Sequence, residues 1–194
     1  MHAYSGFGGI YATHEFLAGK NLRPFIISRS TAPGAGKYGF HWTGDNAASF
    51  DFLRNSIAEN FMFQIWGIQM VGADICGFGG NTTEELCARW FQLGSFYPFA
   101  RNHNDHDSID QEAYALGDKV KQASRTNLKL RYSLLKSYYR HFVVRRGLGT
   151  VYQPVFFHYN KDQEVFSDDV SETQFMLGNE LMFAPVVEKG ATGR

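Results

Sequence analysis

The feature that most constrains this chain is an alternation of short apolar runs with longer amphipathic segments. The predicted strands cover residues 24–28, 68–73, 96–99 and 151–159, and the predicted helices cover 47–66, 82–93 and 111–146. Strand and helix alternating three times predict parallel β–α units, either in an open doubly wound sheet or in a (β/α)₈ barrel. A complete barrel takes about 250 residues, so a chain of this length supplies only about half of one.

Composition restricts the possible partners. Hydrophobic residues make up 44% of the chain and charged residues 20%, which is typical of a packed globular protein. Nineteen basic side chains balance nineteen acidic ones, so nothing favours a nucleic-acid partner. No apolar run approaches the roughly 20 residues of a membrane segment. The first residues, Met1–Gly6, lack the pattern of a signal peptide.

Polar and aromatic residues follow each predicted strand, where both architectures place function. The first strand is followed by Arg29 and by the segment 41–46, which contains Trp42 and Asp45. The other strands are followed by residues 74–78, 101–105 and His158. Carboxylates beside aromatic rings, with Arg and His nearby, suit a sugar pocket. Glycoside cleavage requires two such carboxyl groups.

Each candidate also has a purely structural interpretation. Asp45 precedes a predicted helix and could be its N-cap. Asp74 ends an apolar strand, so it must be paired or belong to a site, and Arg29 could be its structural partner. The segment 82–85 offers a capping box for the next helix, with Glu84 and Glu85 as capping residues. Asp45 and Asp74 together could form a catalytic pair.

Motifs for cofactors and metals are incomplete. Residues 34–38 lack two positions of a phosphate loop, and residues 77–82 lack the third Gly of a dinucleotide fingerprint. A metal-dependent hydrolase using His103, Asp105 and His106 is an alternative without a further ligand motif. We therefore expect no cofactor and no metal.

Cys76 and Cys87 are the only two cysteines of the chain. The residues alone leave two buried thiols and a disulfide equally open. Asn81 begins an Asn-Thr-Thr sequon between them, which weakly favours glycosylation in the secretory route.

Five segments together resemble glycoside hydrolase family 31 in order and spacing. They are RPFIISRST (23–31), HWTGDN (41–46), GADICGF (72–78), GNTTEELCARW (80–90) and FYPFARNH (96–103). The resemblance covers about residues 11–193 and is greatest for the branch that includes lysosomal acid α-glucosidase, sucrase-isomaltase and maltase-glucoamylase.

The resemblance implies a role for each candidate. Asp45 corresponds to the general acid/base of a retaining α-glucosidase. The residues corresponding to those that hold the sugar in the −1 subsite are Arg29, Asp74 and His103 for its hydroxyls, and Trp42 and Phe78 as its aromatic walls. Asp74 is thus expected to bind substrate rather than to act as nucleophile. Cys76 and Cys87 match a disulfide of the secreted members.

The family's nucleophile is an aspartate in a Trp-Ile-Asp-Met-Asn-Glu-like segment, and this chain has no such segment. The resemblance therefore implies strands five to eight of the (β/α)₈ barrel over residues 1–165 and the start of a C-terminal β-sandwich domain over 166–194. The four predicted strands would be those barrel strands. The chain would need the missing N-terminal half of the barrel.

We expect a fragment of an α-glucosidase that releases terminal α-linked glucose from oligosaccharides or from starch and glycogen ends, through α-1,4 and also α-1,6 linkages. Its location would be lysosomal or extracellular. The alternatives are a non-catalytic sugar-binding or partner-dependent half-barrel and the metal-dependent hydrolase.

Overall fold

A computed structural model describes residues 4–194. Met1–Ala3, the first residues of the segment without a signal-peptide pattern, lie outside the described residues. The helices are α1 (Ser5–Gly19), α2 (Phe50–Ile65), α3 (Glu84–Gly94), α4 (Asp118–Val144) and α5 (Asp168–Ser171). The strands are β1 (Ile27–Ser28), β2 (Phe40–Trp42), β3 (Val71–Gly72), β4 (Asp74–Ile75), β5 (Arg101–Asn102), β6 (Tyr152–Pro154), β7 (Phe175–Leu177) and β8 (Leu181–Phe183). Among these helices, none is both long and apolar enough to cross a bilayer.

The first five strands are parallel, which confirms the α/β class. β1, β2 and β3 pair in that order, with Ile27 opposite Phe40 and His41 opposite Val71. β4 follows β3 after a single residue and pairs with β5, with Asp74 opposite Arg101. The carboxyl ends of these strands therefore lie along the same edge.

β2 is a strand that the sequence analysis missed. Phe40–Trp42 lies between β1 and β3, in a stretch interpreted as a polar loop. Its sequence Phe-His-Trp contains two aromatic residues that favour strands, but it is only three residues long and follows Gly39, so it is too short to show an alternating pattern.

The predicted strand over 96–99 is wrong, because these residues form turns and the strand begins at Arg101. The carbonyls of residues 95–98 bond to α4, and only the Phe99 amide donates to a strand, to the Val71 carbonyl of β3 at 3.0 Å. The Arg131 guanidinium donates to the carbonyls of Ser95, Tyr97 and Pro98 at 2.5–3.1 Å. The Tyr138 hydroxyl donates to the Phe96 carbonyl at 2.7 Å.

The predicted fourth parallel strand is also wrong in its pairing. Only Tyr152–Pro154 of residues 151–159 is extended, and a 3₁₀ turn follows at Val155–Phe157. β6 pairs antiparallel with β7, and β7 with β8. The carboxyl-terminal part of the chain is therefore an antiparallel sheet.

Local capping sets where α2 and α3 begin. The Ser49 hydroxyl accepts from the Phe52 amide at 3.2 Å, and the Thr83 hydroxyl accepts from the Leu86 amide at 3.2 Å. Because Thr83 is the N-cap, its third following residue is Leu86, so the expected capping box does not form. Glu84 and Glu85 bond elsewhere in the chain: they accept from the amides of Lys119 and Gly190.

The main core lies between the parallel strands and α2, α3 and α4. Leu53 and Ile57 of α2 are fully buried, as are Trp90 of α3 and Tyr97 after it. Trp66 is 47% exposed because it lies just beyond the end of α2. This packing holds the carboxyl ends of the strands at a fixed edge.

Candidate active site

Asp45 and Arg29 face each other across two neighbouring strands. β1 leads directly into Arg29, and β2 leads through Gly44 into Asp45. The Arg29 guanidinium donates from Nη1 to Oδ2 of Asp45 at 3.1 Å. Asp45 does not cap α2, because Ser49 does so. The suggestion that Arg29 pairs with Asp74 is wrong, because Asp45 is its partner.

Asp74 is buried beneath Arg101. Its Oδ1 accepts from Nε of Arg101 at 3.1 Å and from Nη2 at 2.5 Å. The side chain of Asp74 is only 1% exposed, and its Oδ2 is closed to solvent with no hydrogen-bond partner. Burial raises the pKa of this carboxyl, and the bonds and charge of Arg101 oppose the rise.

Phe78 and His103 lie together on the loops that follow β4 and β5. Their rings are 5.2 Å apart between centroids. The Phe78 carbonyl accepts from the Asp105 amide at 3.1 Å, which joins the two loops. The charges of His103 and Asp45 both act on the pKa of Asp74, the first lowering it and the second raising it. The predicted site residues on three strands thus belong to one cluster.

Asn46 joins the loop after β2 to β4. Its side chain donates to the Asp74 carbonyl at 3.1 Å and accepts from the Asp74 amide at 3.2 Å. Its backbone carbonyl accepts from the amides of Phe78 and Gly79. The residue that follows Asp45 therefore fixes the loop that carries Phe78.

Gln111 joins the loops after β4 and β5 in the same way. Its buried side-chain amide lies 2.8 Å from Oδ1 of Asn102 and 3.1–3.2 Å from the carbonyls of Ile75, Gly77 and His103. The sequence analysis placed Asn46 and Arg101 after the strands without giving either a role, and it missed Gln111. Arg101 beside an unpaired buried aspartate was the available signal, since a buried carboxylate needs a partner.

The expected disulfide forms between Cys76 and Cys87, whose Cα atoms are 4.4 Å apart. Both residues are fully buried. The bond ties the segment between Asp74 and Phe78 to α3, so it supports the loop that carries Phe78.

Within residues 4–194, no group of three His, Cys, Asp or Glu side chains could hold a metal ion. His106 bonds to Asp105 at 2.8 Å and lies 3.2 Å from Asp107, on the surface. His103 packs against Phe78 instead of joining them. The metal-dependent alternative therefore has no site in the described part of the chain.

Two other features lie away from the strand ends. A cavity of about 230 Å³ separates α4 from the β7–β8 hairpin and is lined by Tyr138, His141 and Leu181, among others. His158 hydrogen-bonds to Gln153 at 2.5 Å, beside β6 in the antiparallel sheet. Among its described lining residues Glu180 is the one carboxylate, whereas glycoside cleavage requires two, so we assign the site to the strand ends.

The sequence profile of the glycosyl hydrolase family 31 TIM-barrel domain matches residues 1–141, and that of the family's C-terminal domain matches residues 149–194. The chain is 50% identical to the lysosomal acid alpha-glucosidase of Tetrahymena pyriformis over 99% of its own length and 21% of that protein. It is 45% identical to the lysosomal alpha-glucosidase of Rattus norvegicus over 94% of its length and 19% of that protein.

A crystal structure of the glucosidase II alpha subunit superposes with a TM-score of 0.88 at 34% identity, covering 98% of this chain and 21% of that one. The chain thus spans about a fifth of the length of the curated relatives it matches. The two sequence relatives named above are alpha-glucosidases. Since the domain profiles, the sequence relatives and the solved structure agree, the chain belongs to glycosyl hydrolase family 31.

Proposed function

We propose that this chain is the part of a retaining α-glucosidase that supplies the general acid/base and much of the −1 sugar site. One observation carries the proposal: Asp45 projects, half-exposed, from the strand-end edge and faces Arg29 at 3.1 Å. A carboxyl group in this position can reach a glycosidic oxygen, whereas the sealed Asp74 cannot. The chain's relatives are alpha-glucosidases, which supports the same reaction.

In this mechanism Asp45 acts twice. Its carboxyl group first donates a proton to the glycosidic oxygen as the bond to the leaving sugar breaks. Its carboxylate then takes a proton from the water that attacks the glucosyl ester. A retaining mechanism needs a second carboxyl about 5–5.5 Å away as nucleophile, which we assign to a part of the polypeptide outside this chain.

The neighbouring residues would hold the glucose unit. Trp42 and Phe78 offer apolar faces to the pyranose ring, and Arg29 and His103 offer hydrogen bonds to its hydroxyls. The carboxylate of Asp74 is closed to solvent, so Asp74 would support this group from beneath Arg101 without touching the sugar. The proposed substrates are terminal α-1,4-linked and α-1,6-linked glucose units of oligosaccharides, starch or glycogen.

We further propose that β1, β2, β3–β4 and β5 are the fifth to eighth strands of the barrel. The chain's span of about a fifth of its relatives supports a missing first half. The exposed apolar side chains of α4, which include Tyr132, Tyr139 and Val143, support it as well. An apolar patch of this kind is unusual on a protein surface that has no further partner. The boundary between the barrel and the β domain at residues 165/166 is a proposal. β6 and β7 pair across this boundary, which favours a β domain that begins before β6.

The test combines the mass of the native product with its activity. An antibody against residues 162–170 should detect a protein several times larger than 22.0 kDa. That protein should release glucose from maltose, and proton NMR should show the α-anomer first. A large protein that releases no glucose, or that releases the β-anomer first, would overturn the proposal.

A native product of 22.0 kDa would instead favour a sugar-binding or partner-dependent half-barrel. The exposed apolar face of α4 is the observation that favours this second candidate. Titration calorimetry of the purified chain with maltose would decide whether it binds sugar by itself.

Location in the secretory route, lysosomal or extracellular, is likewise a proposal. It is supported by the Cys76–Cys87 disulfide and by exposed Asn81, whose Oδ1 accepts from the Ile109 amide at 2.9 Å and leaves the nitrogen free for a glycan. A mobility shift on endoglycosidase treatment, absent in Asn81→Gln, would test the glycan.

A further inference from the structure

The carboxylate of Asp74 cannot contact a sugar in this arrangement. A hydrogen bond needs a ligand oxygen within about 3 Å of the acceptor. Oδ2 of Asp74 is closed to solvent, and Oδ1 is occupied by Nε and Nη2 of Arg101. Whatever Asp74 does for substrate binding must therefore pass through another side chain.

Arg101 extends from Asp74 to an aromatic wall of the site. Its guanidinium carbon lies 5.2 Å from the centre of the Trp42 ring and 5.9 Å from that of Phe99. Cation–aromatic attraction operates at these distances. The buried indole N–H of Trp42 has no hydrogen-bond partner, so no hydrogen bond fixes the ring and the contact with Arg101 restrains it.

We propose that Asp74 and Arg101 form a positioning pair that acts on the substrate through Trp42. The buried carboxylate fixes the plane of the guanidinium, and the guanidinium fixes the indole ring against which the sugar packs. Without the carboxylate, the guanidinium is free to turn toward solvent and the ring loses its support. This role rests on the proposed function, in which Trp42 contacts the glucose unit.

The proposal predicts a specific kinetic pattern in the active enzyme. Arg101→Gln should raise KM for maltose about tenfold and change kcat less than threefold, because the wall aids binding more than proton transfer. Arg101→Lys restores the charge but not the planar contact, so it should recover part of the loss. The double variant Asp74→Asn/Arg101→Gln should be no worse than the more impaired single variant, since both act through one contact.

Arg54 provides a matched control. It pairs with Glu172 through Nε and Nη2 at 3.1 and 2.9 Å, and its side chain is 31% exposed, compared with 32% for Arg101. This ion pair lies outside the site, so Arg54→Gln should leave KM unchanged. In a Trp42→Ala background, Arg101→Gln should add no further loss. Additive losses in either double variant, or an unchanged KM in Arg101→Gln, would overturn the positioning role.

A second measurement works without catalysis. Carbon-13 NMR of the Asp74 carboxyl and fluorine NMR of fluorotryptophan at position 42 report on both ends of the pair. Arg101→Gln should raise the pH at which Asp74 titrates, because it removes the bonds and charge that oppose burial, and should shift the Trp42 resonance. Arg54→Gln should do neither. If the wild-type enzyme does not hydrolyse maltose, the proposed function is wrong. If the Trp42 resonance does not move in Arg101→Gln, only the positioning pair is wrong.

Discussion

Arg29 and Asp45 form an ion pair of 3.1 Å in which both side chains remain accessible, 58% and 47% exposed respectively. Exposed pairs of this kind contribute at most about 1 kcal/mol to folding. The pair therefore does little to hold β1 against β2. Substitutions at these two positions can change chemistry without unfolding the protein.

Asp45→Asn should leave folding intact and remove most turnover of the active enzyme. An amide cannot donate a proton to the leaving oxygen or accept one from water, and general acid/base groups contribute about 10²–10⁴-fold to rate. The matched control is Asp51→Asn, an exposed aspartate in the first turn of α2, which should keep full activity. We would measure kcat with maltose, together with the unfolding midpoint. Unchanged turnover in Asp45→Asn would remove Asp45 from the mechanism.

Gly44→Ala should separate Arg29 from Asp45. Gly44 has φ +87°, and a Cβ there would lie 2.6 Å from Nε of Arg29. Gly67 has φ +81° with nothing within 4 Å, so Gly67→Ala carries the same backbone strain without the collision. Both variants should lose about 1 kcal/mol of stability. Only Gly44→Ala should lose activity, and equal activity in the two would show that the Arg29 contact is dispensable.

The sequence placed the site better than it placed the strands. Asp74 and Phe78 follow an apolar run whose end could be recognised, whereas β2, the strand before Asp45, was missed and the strand before His103 was misplaced. Parallel topology brings the ends of all these strands together. The partner of each charge could not be predicted. Arg29 and Arg101 each follow a predicted strand, and only the three-dimensional register, Asp74 opposite Arg101, decides which of them pairs with Asp74.

Tertiary contacts explain the misplaced strands. Residues 96–99 have a composition typical of strands. The guanidinium of Arg131, more than thirty residues away in the sequence, donates hydrogen bonds to three carbonyls of residues 95–98. The short strand Phe40–Trp42 is held by neighbours on both sides, which its own sequence does not reveal. In both cases contacts with residues distant in the sequence decide the local structure.

Removing the Cys76–Cys87 bond should destabilise the fold and loosen the Phe78 loop. The two cysteines are 11 positions apart, and a cross-link closing a loop of that size contributes about 3 kcal/mol. The Cys76→Ser/Cys87→Ser variant should show this loss in urea unfolding without reductant. Under reducing conditions the wild type should approach the variant, and no difference between them under oxidising conditions would contradict the prediction.

His41 should make the fold less stable in acid. Burial lowers its pKa to about 4 from the ordinary 6.5, while the backbone at Ser28 opposes the change. The folded ring is stacked on Phe63 at 3.8 Å between centroids. Between pH 6.5 and pH 4 the unfolded chain binds a proton that the folded chain does not, so the free energy of unfolding falls as the pH falls.

From pH 7 to pH 5 this group alone should reduce the free energy of unfolding by about 2 kcal/mol. His41→Gln should be less stable at pH 7 because it loses the stacked ring, but its stability should decline less on acidification. Urea unfolding at both pH values measures the two slopes. A His41→Gln slope equal to that of the wild type would mean that another group titrates, and Asp74 is not that group, because a raised carboxyl pKa makes stability rise on acidification.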